Sequence, residues 1–150
     1  LIGRDSGELD LSRGITYVSL LVHDYDEALE FYVQKLNFEL IEDTALPEEG
    51  KRWVVIAPKD SKGAAVLLAR AANEEQGRFV GNQTGGRVFL FLHTNDFDSD
   101  YRQMLEHGIE FVRGPDNMEY GKVAVFKDLY GNLWDLLQLR AGHPNAERLV

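Results

Sequence analysis

The same order of elements is written twice in this 150-residue chain, and that repeat limits its possible folds more than any other property of the sequence. At an offset of 72 residues, Asp24, Tyr25 and Asp26 fall on Asp96, Phe97 and Asp98, each triplet following an apolar run and opening a helical pattern. In the first half, Val18, Leu20 and Val22 take one parity and Tyr17, Ser19 and Leu21 the other, as in a strand with two unlike faces. Asp24 and Glu27 have capping-box spacing, which predicts a helix to about Lys35 with Leu29, Tyr32, Val33 and Leu36 along its apolar stripe. Strands are then predicted at 38–41, 53–57 and 64–69, with a turn at 47–50.

The second half repeats this order with a strand at 88–94, a helix at 98–107 and strands at 109–113, 122–127 and 133–139. Between the halves, 70–86 is polar and glycine-bearing and reads as a short helix or a linker. Two modules, about 15–70 and 87–139, are therefore expected. Each alone would expose an apolar sheet face, so they should share one core within a single domain at 15–139. Residues 1–14 read as a polar lead-in and 140–150 as a tail.

Composition narrows the function. A chain of this length hides roughly 70 % of its unfolded surface, which suits one domain. Asp and Glu number 25 against 16 Lys and Arg, a net charge of -9 without a basic block, so a role in binding nucleic acid is not expected. There is no cysteine, which removes disulfides, thiolate nucleophiles and thiolate metal ligands. No apolar run is long enough to span a bilayer and none forms a secretory signal, so the expected location is the cytoplasm and no membrane partner is expected.

The stretch from Tyr17 to Asp24, the following Ala28-Leu29-Glu30-Phe31-Tyr32 and Leu36-Asn37-Phe38, and the second-half run Asp128-Leu129-Tyr130-Gly131-Asn132-Leu133-Trp134-Asp135 together resemble the glyoxalase, bleomycin-resistance and extradiol-dioxygenase superfamily, also called vicinal oxygen chelate proteins. The resemblance spans 15–139. It implies an α+β fold of two tandem βαβββ modules forming one curved-sheet, cavity-bearing domain, and a homodimer as the assembly. The scaffold carries lyases, epimerases, ring-cleaving dioxygenases and antibiotic-sequestering proteins, so it does not name an activity.

Metal-dependent members of this superfamily project His and Glu into the cavity. The matching positions here are Tyr17 in the first strand, Phe89 in the second half and Asp135 after the Gly-Asn turn, while 64–69 offers no carboxylate. A phenyl ring has no lone pair for a divalent ion, and a neutral phenol replaces imidazole poorly. One carboxylate does not supply the three or so ligands of a catalytic zinc. Neither a metal nor another cofactor is expected, and the metal-stabilised enediolate chemistry of the lyases is not carried over.

The candidate ligand-binding residues are Tyr17, Trp53, Phe89, Phe91, Tyr120 and Asp135. Phe89 and Phe91 share a parity and are expected on the side of Tyr17, where they either stack on a flat ligand or fill space. Tyr120 either closes a pocket from a loop or enters a strand. The stretch 82–86 either presents amide donors to a ligand or is a turn. Asp135 is the candidate catalytic residue, a general base if burial raises its pKa, or else a structural carboxylate. His93 shares the Phe91 parity, and His23, His107 and His143 show no ligand spacing.

The leading expectation is a metal-free protein that binds an unidentified small molecule. The alternatives are a lyase or isomerase resembling lactoylglutathione lyase with a nonstandard metal site at Asp135 and His93, and a non-catalytic interaction module with a filled cavity.

Overall fold

A computed structural model describes residues 12–149. Most of the expected lead-in, residues 1–11, lies outside the described residues. The first module runs β1 (Tyr17–Val22), a helix that starts as α1 (Tyr25–Leu29) and continues as a π-helical stretch (Glu30–Lys35), then β2 (Phe38–Leu46), β3 (Lys51–Pro58) and β4 (Ala65–Arg70). After a short α2 (Glu74–Gly77), the second runs β5 (Val88–His93), α3 (Phe97–Glu106), β6 (Glu110–Met118), β7 (Gly121–Lys127) and β8 (Leu133–Leu139). The strand orders are β1-β4-β3-β2 and β5-β8-β7-β6. In each sheet the first and last strands of the module pair in parallel and the other pairs are antiparallel.

The duplicated aspartates cap the two helices. Asp24 Oδ2 accepts from the Glu27 N–H at 2.8 Å, and Asp96 Oδ1 from the Ser99 N–H at 3.3 Å. The reciprocal arm expected of a capping box is replaced: the Asp24 N–H turns to the Tyr130 hydroxyl of the other module, 3.4 Å away. After each cap comes a buried ring under a cation, with Arg52 over Tyr25 at 5.2 Å and Lys122 over Phe97 at 5.1 Å. The same cations pair with Asp26 and Asp98.

The first helix widens after Leu29, where the Leu36 N–H donates to the Phe31 carbonyl five residues back. The added residue turns two consecutive aromatics inward, leaving Phe31 8 % and Tyr32 0 % exposed. β2 and β6 extend well beyond the predicted 38–41 and 109–113. Their distal halves are exposed edge strands, so no buried face marks them with alternating apolar residues.

Leu20, Val22, Val54, Ile56, Val66 and Leu68 of the first sheet and Ala124, Phe126, Trp134 and Leu136 of the second belong to one contiguous core. Both sheets therefore turn one face inward, toward the helices and each other. The rings of Tyr32, Phe38, Phe126 and Trp134 meet at the centre, with centroids 5.6–5.9 Å apart.

The curved sheet around a cavity that the resemblance implied is not what forms. Among the described residues each sheet is open, with β1 and β2 as unpaired edges of one and β5 and β6 of the other, and no pairing curls or closes either. Four strands are too few to close a barrel, and burying one face of each in a common core leaves the opposite faces directed outward.

Residues 71–86 are more than a linker. The Gln83 side chain accepts from the Leu21 N–H at 2.8 Å and donates to the Ser19 carbonyl at 2.6 Å, occupying the free edge of β1 as a strand would. The amide read as a possible ligand donor is thus spent within the fold.

Candidate functional site

The outward face of the second sheet carries a register row that crosses all four strands: Phe91 on β5, Asp135 on β8, Val125 on β7 and Arg113 on β6. Residues in register share a face, so the carboxylate stands between an aromatic and a valine, two strands from a guanidinium. Asp135 is 9 % exposed, and its Oδ1 is buried without a hydrogen-bond partner among the described residues. Burial pushes its carboxyl above the ordinary aspartate range, and the charge of Arg113 opposes that shift without cancelling it.

The outward face of the first sheet carries an aromatic pair. Tyr17 on β1 and Trp53 on β3 meet edge to face, with centroids 5.8 Å apart and planes at 87°. Tyr17 is 44 % exposed, so this pair is presented at the surface.

The other candidates are dispersed. A bulge between Val88 and Leu90 takes Phe89 off the parity expected of it, and its ring packs on the core residue Trp134 at 6.2 Å. Phe91 remains on the outward row and is 63 % exposed. Tyr120 sits in the β6–β7 hairpin, where its carbonyl accepts from the Arg140 N–H at 2.9 Å. It is about five residues from the Asp135 row along β7, roughly 16 Å.

His93 is in register with Leu137 rather than with Asp135, and burial lowers its pKa. His23 lies against the Tyr130 ring, His107 Nδ1 contacts the Lys35 carbonyl at 2.8 Å, and His143 Nδ1 accepts from the Asn145 N–H. Among the described residues no group of three or more His, Asp or Glu side chains is placed to hold a metal ion. The donors at the matching positions are a phenol, a core phenyl ring and one carboxylate, which do not fit a catalytic divalent ion. His93 and Asp135, the pair considered for a nonstandard site, stand diagonally on adjacent strands, and among the described residues no third His, Asp or Glu completes a metal-holding group with them.

A cleft of about 760 Å³ opens elsewhere, between the modules. Of the six candidates only Phe91 borders it, and Asp135 does not. Its far wall is the β3–β4 loop, residues 59–64, which sequence reading passed over. Arg113 was likewise missed, because its relation to Asp135 depends on a register containing bulges. No helix among the described residues is long and apolar enough to cross a membrane.

Comparison with known proteins agrees with this architecture. A protein of Shewanella frigidimarina (strain NCIMB 400) is 58 % identical over 134 residues, covering 89 % of this chain and 99 % of its own length. The protein YurT of Bacillus subtilis (strain 168) is 34 % identical over 130 residues, covering 83 % and 98 % respectively. Among solved structures, UcmS2 superposes with a TM-score of 0.73 at 27 % identity, covering 85 % of this chain and 98 % of its own. TnmS3, an antibiotic binding protein from Streptomyces sp. CB03234, superposes with a TM-score of 0.71 at 27 % identity, covering 88 % and 100 %. With residues 14–136 matching the family model, the chain belongs to the Glyoxalase/Bleomycin resistance protein/Dioxygenase superfamily.

Proposed function

We propose that this protein binds a flat organic molecule through the outward sheet faces, holding it without metal and without chemical change. The observation that carries this reading is the unpartnered Asp135 Oδ1. A buried carboxylate oxygen lacking a donor costs about 1–3 kcal/mol or more, so a fold that keeps it gains only if a donor arrives from outside. Phe91 beside it and the Tyr17–Trp53 pair offer aromatic surface for stacking. The likeness to TnmS3, described as antibiotic binding, supports an antibiotic-like ligand bearing an N–H or O–H group.

The site is shared between two copies. The aromatic pair stands on the outward face of the first sheet and Asp135 on that of the second. A second copy related by a twofold axis brings the first face of one chain over the second face of the other.

Native mass spectrometry of freshly purified protein, with elemental analysis of the same sample, tests this reading. A dimer carrying an organic mass without stoichiometric metal is expected. One metal per chain, or no saturable ligand in a screen of planar aromatic antibiotics, would overturn it.

A further inference from the structure

The two modules differ where the repeat should make them alike. The β7–β8 turn, 128–132, is sealed against the other module: Asp128 accepts from the Tyr32 hydroxyl at 2.6 Å and from the Asn132 side chain at 2.9 Å. The residue 72 positions after Tyr32 is Met104, which offers no hydroxyl, and the corresponding β3–β4 loop, 59–64, is a residue longer. No matching contact forms there among the described residues, and the 760 Å³ cleft occupies that region, sharing Phe38, Lys59 and His93 as lining with a smaller neighbouring hollow that reaches Met104.

The cleft has the two parts of an amphipathic binding site. Its floor is apolar, built from Val18, Val66, Leu90, Leu92 and the Trp134 indole. Its rim carries Lys59, Lys62 and Arg148 against Asp60, the single carboxylate among the described lining residues. None of these three cations forms an ion pair among the described residues, although the chain as a whole is acidic by nine charges. A locally cationic mouth on an anionic protein selects for negative charge, and the volume lies in the range of small-molecule sites.

We propose that this cleft is a second binding site, distinct from the outward face at Asp135, and that it takes a small amphipathic carboxylate. The apolar body lies against Trp134 and the aliphatic floor. The carboxylate faces Lys59, Lys62 and Arg148.

The full chain is titrated with decanoate below its micelle concentration, with decyltrimethylammonium as the cationic counterpart, by calorimetry and by NMR of the two indole N–H signals. The signals are assigned with Trp53→Phe. Saturable binding of one decanoate per chain is expected, with the Trp134 signal moving and the Trp53 signal still. The cationic counterpart is expected not to bind. Lys59→Glu combined with Lys62→Glu alters exposed side chains only and should weaken decanoate about tenfold. Absence of saturable binding, equal binding of the cation, a shift at Trp53 instead of Trp134, or unchanged affinity in the double variant would each overturn the proposal.

Discussion

The Tyr32 hydroxyl donates to Asp128 Oδ2 at 2.6 Å across 96 positions of sequence, joining the widened helix of the first module to the β7–β8 turn of the second. Asp128 Oδ1 meanwhile accepts from the Tyr130 and Asn132 N–H groups, and Asn132 Nδ2 donates to Oδ2, so one carboxylate organises the whole turn. Burial, followed by the neighbouring Asp128 charge and hydrogen bond, holds the tyrosine pKa well above its usual value.

Tyr32→Phe removes this donor from a buried carboxylate and is expected to cost about 2 kcal/mol. That corresponds to a fall in Tm of roughly 4–8 °C by calorimetry. The raised tyrosine pKa adds a pH signature. Its stabilising contribution is complete below the unfolded value near 10 and is lost as pH rises through the folded value, so the wild type should lose its advantage over Tyr32→Phe only in strong alkali.

Gln83→Glu is expected to destabilise more than Gln83→Ala. The glutamate places a carboxylate oxygen where an amide now donates to the Ser19 carbonyl, setting two acceptors 2.6 Å apart. Urea unfolding should give a loss of about 1–3 kcal/mol for the glutamate variant. Alanine merely frees the β1 edge, and its signature is concentration-dependent association rather than a large change in midpoint. Equal midpoints for both variants and wild type would show that the amide does not hold the edge.

Two glycines in the same segment separate steric from conformational cost. A Cβ on Gly81, at φ +81°, would lie 1.9 Å from the Tyr130 carbonyl oxygen, whereas one on Gly85, at φ +66°, meets nothing within 4 Å. Gly81→Ala must therefore displace the linker from the β7–β8 turn and is expected to cost roughly 2–5 kcal/mol. Gly85→Ala bears only the left-handed backbone term, about 1–2 kcal/mol. Thermal unfolding of the pair gives the comparison directly.

How much of this was legible in the sequence follows from the range over which each feature is determined. The Asp24 and Asp96 caps act over three residues and are read directly from the chain. The order of elements along the chain follows from the repeat, because each half carries the same succession of apolar patterns. The openness of the sheets was not legible, since it depends on how two modules pack rather than on either alone. Phe89 was misplaced because it is the unpaired residue of a bulge, and periodicity cannot register an inserted residue. Arg113 escaped for the same reason, with two irregularities in β6 separating it from any simple count. Gln83 was ambiguous because an amide looks the same in sequence whether it serves a ligand or a strand edge.

Asp135→Asn tests whether the outward face is kept for a ligand at the expense of stability. Burial raises the Asp135 pKa, so the folded chain holds that proton more tightly than the unfolded chain does. The stabilising effect of the neutral form is fully present below the unfolded value near 4 and is lost as pH rises through the folded value. Above the folded value the ionised, unpartnered group therefore weighs against folding, and Arg113 offsets this in part. Asparagine carries no charge into that position. The variant is expected to be more stable than wild type at pH 7 by about 1 kcal/mol, or roughly 2–4 °C, with the gain vanishing near pH 4. Its affinity for the organic ligand found by native mass spectrometry should fall at least tenfold, since a hydrogen bond to a charged group contributes about 1.5–3 kcal/mol. Higher stability together with weaker binding is the pattern of a residue retained for recognition. Lower stability with unchanged binding would instead make Asp135 a structural carboxylate and return the outward face to the status of ordinary surface.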